Sequence, residues 1–278
     1  MPSPLLVNLG CGSTFHGEWA NVDLVPRDPS VRQVDILRGL PFEDVSVDAC
    51  YSSHVLEHLR NYDAKRFVAE QFRVLKKGGI IRVAVPDLEK ICRNYLTELD
   101  SILSGKRSDT FAYEYTLLEL FDQITRERPG GDLYEVIRNT GDLNEVNRKF
   151  LNSRLHRGSF ETSPNVLSGA SHHTISERVS AKLKRMRYRL ADFALKILMG
   201  EGAVDSLRRG LFRDSGEVHH VMYDCLSLSR LLESLGFTNV RALQAGVSGI
   251  PNFSSYSLEI VDGAVIKPDS LYMEAIKP

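Results

Sequence analysis

Residues 54–58 read HVLEH and fit the pattern H-x-x-E-H. On a continuous helix this spacing puts His54 and His58 one turn apart on one face, with Glu57 beside them. Inverted zinc peptidases use such histidines as metal ligands and the glutamate as a base. Here Ser52-Ser53 ends a predicted strand, so the five residues straddle a loop and a short turn. We therefore predict no metal site, with a zinc hydrolase as the less favoured alternative, and expect His58 to bond to nearby backbone.

A glycine turn, Gly10-Cys11-Gly12, follows the apolar run from Leu5 to Leu9. Glycine lets the backbone come close to a ligand, and the carboxyl end of the first strand is where doubly wound sheets bind nucleotides. The third glycine of a dinucleotide fingerprint would fall at Phe15, and no G-K-[ST] pattern of a P-loop occurs. The glycine turn therefore indicates a binding site for a nucleoside ligand that carries no phosphates.

Two acids follow in an order that indicates a shared site. Asp23 lies near the end of the predicted strand Ala20–Leu24, where a carboxylate can accept hydrogen bonds from both hydroxyls of a ribose. Asp35 precedes Ile36, and this polar and apolar pair can meet the edge and face of an adenine.

The composition is that of an ordinary soluble protein. The chain has 278 residues, 42% hydrophobic and 26% charged, and a net charge of −1, which excludes a global attraction to nucleic acid. The four cysteines form no C-x-x-C pair, which favours reduced thiols in the cytosol. The N-terminus is typical of a first strand rather than a signal peptide, and no apolar run would span a membrane. We therefore expect a cytoplasmic protein.

Short apolar runs alternate with helical patterns and predict an α/β fold with a doubly wound, mostly parallel sheet. The core is predicted over 1–98 and 214–278, and 99–213 is a helical insertion expected to act as a substrate lid. Further predicted strands are 46–52, 80–85, 240–243 and 256–261. The predicted helices are 63–75, a stretch that begins at Asp87, 113–124, 176–199 and 226–235. Asp63 is the predicted N-cap of the first helix, and Lys76-Lys77-Gly78-Gly79 is predicted to end it.

Three stretches resemble consecutive motifs of the class I S-adenosylmethionine-dependent methyltransferases: VNLGCGSTFHGEWANVDL, VDILRGLPFEDVSVDACYSSHVLEHL and RVLKKGGIIRVAVPD. The closest likeness is to small-molecule and glycan-type members with a short N-L-G-C-G start. It covers about residues 5–95 and resumes weakly at YDCLSLSRLLESLGFTNV.

The resemblance implies a Rossmann-like fold, S-adenosyl-L-methionine as cofactor and a small-molecule or glycan acceptor. It places the methionine end of the cofactor at the glycine turn, the ribose at Asp23, the adenine at Asp35, and a floor below the sulfonium at His54. The implied cofactor-binding set is Asn8, Leu9, Gly10, Cys11, Gly12, Asp23, Leu24, Asp35, Ile36, Ser52, Ser53 and His54.

One departure from the family pattern concerns the first crossover. Residues 13–22 alone separate Gly12 from Asp23, whereas a parallel crossover needs about a dozen residues or more including its helix. We expect a helix of a turn or two at most, a thinly covered side of the cofactor groove, and Trp19 as a packing residue.

Three histidines are candidate bases, since methylation of a hydroxyl requires a proton to leave and a neutral imidazole can take it. These are His54, His219 and His220, the last two at the point where the chain leaves the insertion. Surface or packing roles stay open for His219 and His220, and alignment without a base can suffice.

The segment 176–199 combines an apolar face with the cations Arg178, Lys182, Lys184, Arg185, Arg187 and Arg189. This pattern predicts an amphipathic lid helix whose apolar face packs on the core. A contact with an anionic substrate or with a membrane surface is the alternative.

The function predicted is O-methylation of a sugar or a hydroxylated small molecule. N-methylation of a small amine and a non-catalytic nucleoside-binding module stay as alternatives.

Overall fold

The computed structural model describes residues 3–155 and 175–278, with the backbone alone for 142 and 175–185. Its strands are β1 Leu6–Leu9, β2 Ala20–Asp23, β3 Arg32–Gln33, β4 Val47–Ser53, β5 Leu75–Pro86, β6 Thr238–Leu243, β7 Ile260–Val261, β8 Ala264–Val265 and β9 Ser270–Ile276. Seven of them form one sheet in the order β3-β2-β1-β4-β5-β9-β6. The first five pair in parallel, and β9 is antiparallel to both β5 and β6. The predicted doubly wound, mostly parallel sheet is confirmed.

The helices are α1 Asn61–Val74, α2 Leu88–Leu103, α3 Phe111–Thr125, α4 Gly131–Arg138, α5 Glu145–Arg154, α6 Ile175–Met199, α7 Glu201–Arg213 and α8 Cys225–Ser234. Short 3-10 turns occupy Ile36–Arg38, Leu56–His58, Thr140–Asp142 and Phe253–Tyr256. The N-cap of α1 is Arg60 and not Asp63, which lies inside the first turn. The helical stretch predicted from Asp87 is α2, and Asp87 is its N-cap, because its carboxylate accepts from the amide of Lys90 at 3.1 Å.

One face of the sheet packs on α1 and α8. Apolar residues of α1 recur at helical spacing, and Ala64, Phe67 and Val68 are buried against strand residues such as Val83. Full burial of a side chain such as Phe67 contributes about 1.5–3 kcal/mol. This core fixes the carboxyl ends of the parallel strands.

The other face has no helix where the first crossover was expected. Residues 13–19, all within the described ranges, form turns held by two buried amides. The Asn8 side chain donates to the Thr14 carbonyl at 3.0 Å, and that of Asn21 donates to the Trp19 carbonyl at 2.8 Å. Trp19 packs as predicted, with its ring centroid 5.5 Å from that of Tyr256. Residues 250–258 pack over this face of the sheet in place of a crossover helix, and the thin cover of the cofactor groove stays a prediction.

A buried ion cluster ties the same segment to the sheet. Arg82 on β5 is fully buried and donates to both oxygens of Glu259, at 2.7 and 2.6 Å, and to Glu274 at 2.9 Å. It also donates to the carbonyls of Val247 and Gln244. One guanidinium thus orders the chain between β6 and β9.

The prediction of a strand over 256–261 is wrong. Tyr256 ends a 3-10 turn, Ser257 has a φ of 53°, and only Ile260–Val261 is extended, in a small hairpin with Ala264–Val265. The strand of the main sheet is β9, which the sequence analysis missed.

The insertion consists of helices in its described parts. Its predicted start at residue 99 falls within α2, which runs on to Leu103, and α7 was not predicted. Helix α3 packs on α2, α4 and α5 pack on α3, and α6 packs on α7.

The apolar stripe of α6 points outward rather than onto the core, contrary to the favoured expectation. Leu190, Phe193 and Ile197 are 61%, 64% and 66% exposed. The side chains of Arg178, Lys182, Lys184 and Arg185 lie outside the described residues, while Arg187 and Arg189 are exposed. In the part of the chain that the structure describes, no helix has both the length and the apolarity that crossing a membrane requires.

Candidate functional site

The glycine turn and the end of β2 form one unit. Gly10 and Gly12 have φ values of 67° and 55°, in the left-handed region. The Gly12 amide donates to Oδ2 of Asp23 at 2.8 Å, and the Val25 amide donates to Oδ1 at 2.9 Å. The Gly10 amide donates to the Val22 carbonyl at 2.8 Å. The Asp23 carboxylate is thereby fixed beside the turn, at the carboxyl ends of β1 and β2.

The strand order changes direction between β1 and β4, which is the switch point where such sheets bind ligands. A Cβ on Gly12 would meet no atom within 4 Å, so the turn leaves open space there. Oγ of the buried Ser52 has no hydrogen-bond partner among the described residues. Open space, an unpartnered hydroxyl and a fixed carboxylate at one edge fit a nucleoside cofactor.

Gly10 packs closely against a side chain of the protein itself. A Cβ there would lie 2.5 Å from Cγ2 of Val55, so its first role is to let the turn pack against that side chain. Leu9 is fully buried in the core and Leu24 is 59% exposed. Burial and the nearby Asp23 carboxylate raise the pKa of the Cys11 thiol to about 11.

Asp35 and Ile36 lie beyond β3. The Asp35 carboxylate caps the Ile36–Arg38 turn by accepting from the Leu37 amide at 3.1 Å, and it pairs with the exposed Arg38. Ile36 is half-buried against the core. The turn thus presents an acid beside an apolar side chain, as the adenine prediction requires.

His54 sits just past the end of β4 in a strained conformation. Its φ is 56°, and its amide donates to the Ala84 carbonyl on β5 at 2.8 Å. A non-glycine residue there costs about 1–3 kcal/mol and persists only where surrounding contacts determine it. Nε2 lies 2.7 Å from Oγ of Ser270, and Nδ1 lies 3.3 Å from Oε1 of Glu57. Ser270 therefore holds the Nε2 side of the imidazole, while Glu57 lies within ion-pair distance of Nδ1.

A cavity of about 340 Å³ opens beside this histidine. Its core side includes His54, His58, His219 and Asp269, while His220 does not line it. Its other side comes from α3, α4 and α5 of the insertion, through residues such as Tyr134. The insertion therefore covers the carboxyl ends of β4 and β5.

Ion pairs fix the insertion to this site. Arg154 on α5 donates to both oxygens of Glu119 on α3, and it lies 3.7 Å from Asp269, just before β9. Burial raises the pKa of Asp269, and the nearby Arg154 and Lys90 oppose that shift. One guanidinium thus joins two insertion helices to the core.

Glu57 is fully buried next to the cavity wall. Burial raises its pKa, while the charge of Lys267 acts in the opposite direction. Burial likewise lowers the pKa of Lys267, whose ammonium donates to the carbonyl and Oγ of Ser53 at 3.3 and 3.2 Å. Ser53, expected to contact cofactor, is held by this lysine.

His58 bonds to backbone as predicted, although the partner is distant in sequence. Its Nδ1 lies 3.3 Å from the Val218 carbonyl, and burial lowers its pKa to about 4. His219 is buried, with its ring centroid 4.7 Å from that of His58. The His220 amide donates to the Glu57 carbonyl at 2.8 Å. The chain after the insertion therefore passes the end of β4.

Sequence reasoning missed Lys267, Ser270 and Asp269, and considered Glu57 only as part of the H-x-x-E-H pattern. These residues precede or begin β9, the strand that was not recognised. A weak signal existed, since S-L-Y-M-E-A-I is a short, mostly apolar run of the kind that forms buried strands.

The protein is a doubly wound α/β protein that has a glycine turn and a fixed carboxylate at the switch point of the sheet, and a cavity of about 340 Å³ beside His54. Residues 8–83 match the family model described as a methyltransferase domain. The predicted resemblance to the class I S-adenosylmethionine-dependent methyltransferases is therefore confirmed for this part of the chain.

A probable S-adenosylmethionine-dependent methyltransferase of Mycolicibacterium smegmatis is 44% identical over 59 residues, which are 20% of this chain and 22% of that protein. The chain thus matches about a fifth of the length of this curated relative. A possible histamine N-methyltransferase of Thermotoga maritima aligns over 100% of this chain and 84% of its own, with 13% identity and a TM-score of 0.39. A methyltransferase of Archaeoglobus fulgidus aligns over 99% and 86%, with 12% identity and a TM-score of 0.39.

Proposed function

We propose that the chain transfers a methyl group from S-adenosylmethionine to a hydroxyl oxygen of a sugar or another hydroxylated small molecule. The observation that carries the proposal is the Gly12–Asp23 bond within the methyltransferase-type domain, which fixes a carboxylate beside a glycine turn. The helix-lined cavity next to His54 supplies the space for an acceptor.

The cofactor supplies a methyl group on a positively charged sulfur, which the acceptor oxygen takes as the carbon–sulfur bond breaks. In this chain Asp23 accepts hydrogen bonds from the ribose hydroxyls, and Asp35 and Ile36 contact the adenine. The turn at Gly10–Gly12 lies next to the methionine end of the cofactor. The fixed carboxylate loses little freedom on binding, which favours affinity.

His54 receives the hydroxyl proton in this proposal. Its Nε2 already bonds to a hydroxyl, that of Ser270, which holds this edge of the ring in place. The insertion helices exclude water from the cavity and position the acceptor, since proximity supplies much of the acceleration in such transfers.

Two measurements test the function. S-adenosylhomocysteine at millimolar concentration should raise the melting temperature of the full chain, because a ligand of the native state stabilises it. Labelled cofactor should then methylate at least one acceptor in a panel of hydroxylated compounds and amines. No thermal shift contradicts a cofactor site, and transfer to amines alone contradicts the choice of oxygen.

A further inference from the structure

We propose that Glu57, His58 and His219 bind a divalent transition-metal ion, and that this ion holds the acceptor hydroxyl in the cavity. We call these three residues the histidine–glutamate cluster. The role of the ion rests on the proposed methyl transfer, whereas the binding site itself rests on geometry alone.

The cluster brings three donor atoms together from two distant parts of the chain. One donor atom from each residue lies within 4.8 Å of the other two. A tetrahedral ion with bonds of about 2.0–2.2 Å keeps its donors about 3.3–3.6 Å apart, so the side chains need to close by at most about 1.5 Å. Rotation of the side chains at their outer bonds can supply a movement of this size.

His58 is oriented for coordination. Its Nδ1 faces the Val218 carbonyl at 3.3 Å, and a carbonyl only accepts, so Nδ1 carries the proton. Nε2 then bears the lone pair. Metal-binding histidines commonly donate their other N–H to a backbone carbonyl in this manner, because the bond fixes the tautomer and the ring.

Glu57 supplies the negative charge that a cation needs. Its side chain is fully buried, and neither carboxylate oxygen accepts a hydrogen bond from another residue in the described ranges. Nδ1 of His54 lies 3.3 Å from Oε1, outside hydrogen-bond geometry. Lys267 is the competing source of positive charge near this carboxylate. An ionised carboxylate at this buried position needs one or the other, because isolated buried charge is costly and the group otherwise takes up a proton.

The ligand set indicates which ions fit. Two imidazoles and one carboxylate suit zinc and its neighbours, and three protein ligands leave one position open. His58 and His219 both line the cavity, so the open position faces the space assigned to the acceptor. A hydroxyl oxygen bound there becomes more acidic and gives up its proton more readily as its bond to the methyl carbon forms.

This arrangement differs from that of H-x-x-E-H peptidases. His54 precedes the 3-10 turn Leu56–His58, and its ring faces Ser270 and Glu57, so His54 and His58 do not form the paired helix face. The third donor comes instead from His219, which follows the insertion. The cluster therefore joins the end of β4 to the segment that follows the insertion.

The test uses the full chain stripped of metal and titrated with Co²⁺, a spectroscopic substitute for Zn²⁺. We expect one equivalent to bind with the visible absorption of a low-coordinate site, and to raise the melting temperature. His219→Gln should weaken binding at least tenfold. The neighbouring His220→Gln, outside the cavity, should leave it unchanged.

Circular dichroism of each variant separates loss of a ligand from loss of the fold. If His219→Gln does not fold, the wild-type titration decides alone. Absence of stoichiometric Co²⁺ binding to the wild type overturns the proposal and leaves Lys267 as the counter-charge of Glu57. Binding of S-adenosylhomocysteine by the stripped protein is measured in parallel, so failure of the metal site is distinguishable from failure of the proposed function.

A second, independent observation concerns the apolar stripe of α6, which we define as Met186, Leu190, Phe193 and Ile197. Their spacing puts them on one helical face, and all four are at least 52% exposed. We propose that this stripe lies in the surface of an anionic membrane.

Charge favours this occupant over a second protein copy. Residues 175–213 carry ten lysines and arginines against four acids, whereas the whole chain has a net charge of −1. Arg187 and Arg189 are exposed near the stripe. An exposed apolar stripe flanked by cations is the pattern of helices that lie in a membrane interface, and anionic lipids attract such cations.

Co-sedimentation with vesicles tests the proposal. The full chain should bind vesicles of phosphatidylcholine mixed with phosphatidylglycerol, bind pure phosphatidylcholine at least tenfold more weakly, and dissociate at high salt. Leu190→Ser, Phe193→Ser and Ile197→Ser combined should abolish binding. Leu96→Ser, Leu226→Ser and Val247→Ser combined remove three other exposed apolar side chains and should not.

Two results overturn the membrane proposal. The first is wild-type protein that stays in the supernatant with anionic vesicles. The second is a wild-type dimer that the stripe variant converts to a monomer in sedimentation equilibrium, since a second copy would then cover the stripe.

Discussion

The Gly12 amide donates to Oδ2 of Asp23 at 2.8 Å, and this bond joins the turn after β1 to the end of β2. The second oxygen of Asp23 accepts from the Val25 amide. The carboxylate is thus positioned by backbone, with further lone pairs available to a ligand.

Asp23→Ala should therefore weaken binding of S-adenosylhomocysteine at least tenfold. Charge-assisted bonds to the ribose are lost, each worth about 1.5–3 kcal/mol, and the turn also loses its anchor. Calorimetry measures the dissociation constant. Asp100→Ala, which removes an exposed acid on α2, is the control and should leave it unchanged. Equal affinities for the wild type and Asp23→Ala would place the ribose elsewhere.

Gly10 and Gly12 allow the cost of a left-handed backbone to be separated from that of a steric clash. Alanine at either position costs about 1–2 kcal/mol from its positive φ. Gly10→Ala should cost more than Gly12→Ala, because its Cβ lies 2.5 Å from Val55, whereas Gly12 faces open space. Gly10→Val should abolish the thermal shift produced by S-adenosylhomocysteine.

Urea unfolding of the alanine variants checks this ranking. Gly10→Ala combined with Val55→Ala should cost less than the two single changes added together, because the clash is removed. Equal losses for Gly10→Ala and Gly12→Ala would show that the backbone conformation alone requires glycine at this turn.

The parallel half of the sheet was predictable because its strands are short apolar runs that end in turns, as at Leu9 and Gly10. Strand β9 was not, since Glu274 lies inside it and is buried only because Arg82 on β5 pairs with it. No local pattern shows that an acid in one segment meets an arginine nearly two hundred residues earlier.

The residues of the candidate site likewise fall into a group that the sequence predicted and a group that it did not. Residues at strand ends, such as Asp23 and His54, were predicted because parallel strands end at one edge of a sheet. The approach of Val218 and His219 to His58 depends on how the insertion returns the chain to the core. The sequence indicated histidines in both places, but not that they would meet.

Arg82→Met should destabilise the fold by about 3–5 kcal/mol, because two buried carboxylates, Glu259 and Glu274, lose their shared partner. Urea unfolding measures the loss. Arg93→Met removes an exposed arginine paired with Glu89 on the same helix, and should change stability by about 0.5 kcal/mol or less. Similar losses in the two variants would contradict the role of the buried cluster.

The cysteines should differ sharply in alkylation. The pKa of Cys11 is raised to about 11, so about one thousandth is thiolate at pH 8, and that fraction rises tenfold with each pH unit up to the pKa. Burial also raises the pKa of Cys50, whereas Cys225 is exposed. Peptide mapping after iodoacetamide at pH 8 should find Cys225 modified and Cys11 intact. Rapid labelling of Cys11 would show that the glycine turn opens in solution.

Tyr134 on α4 lines the cavity from the insertion, and Glu135 beside it is exposed. Tyr134→Ala should lower methyl transfer at least tenfold by enlarging the acceptor pocket, with cofactor affinity unchanged. Glu135→Ala should have no effect on either. Steady-state kinetics with a confirmed acceptor measures the first quantity and calorimetry the second. A loss of cofactor affinity in Tyr134→Ala would extend the role of α4 to the cofactor.

Replacing residues 105–210 with a short Gly/Ser linker tests the insertion as a whole. The glycine turn, Asp23 and Asp35 make their described contacts within the core, so binding of S-adenosylhomocysteine should stay within a few-fold of wild type. Methyl transfer should fall by orders of magnitude, because α3, α4 and α5 form one side of the cavity that is proposed to hold the acceptor. Retained transfer would restrict the insertion to membrane contact. A folded deletion that no longer bound cofactor would show instead that the insertion also closes the cofactor groove, through contacts such as that between the His219 amide and the Gln123 carbonyl at 2.9 Å.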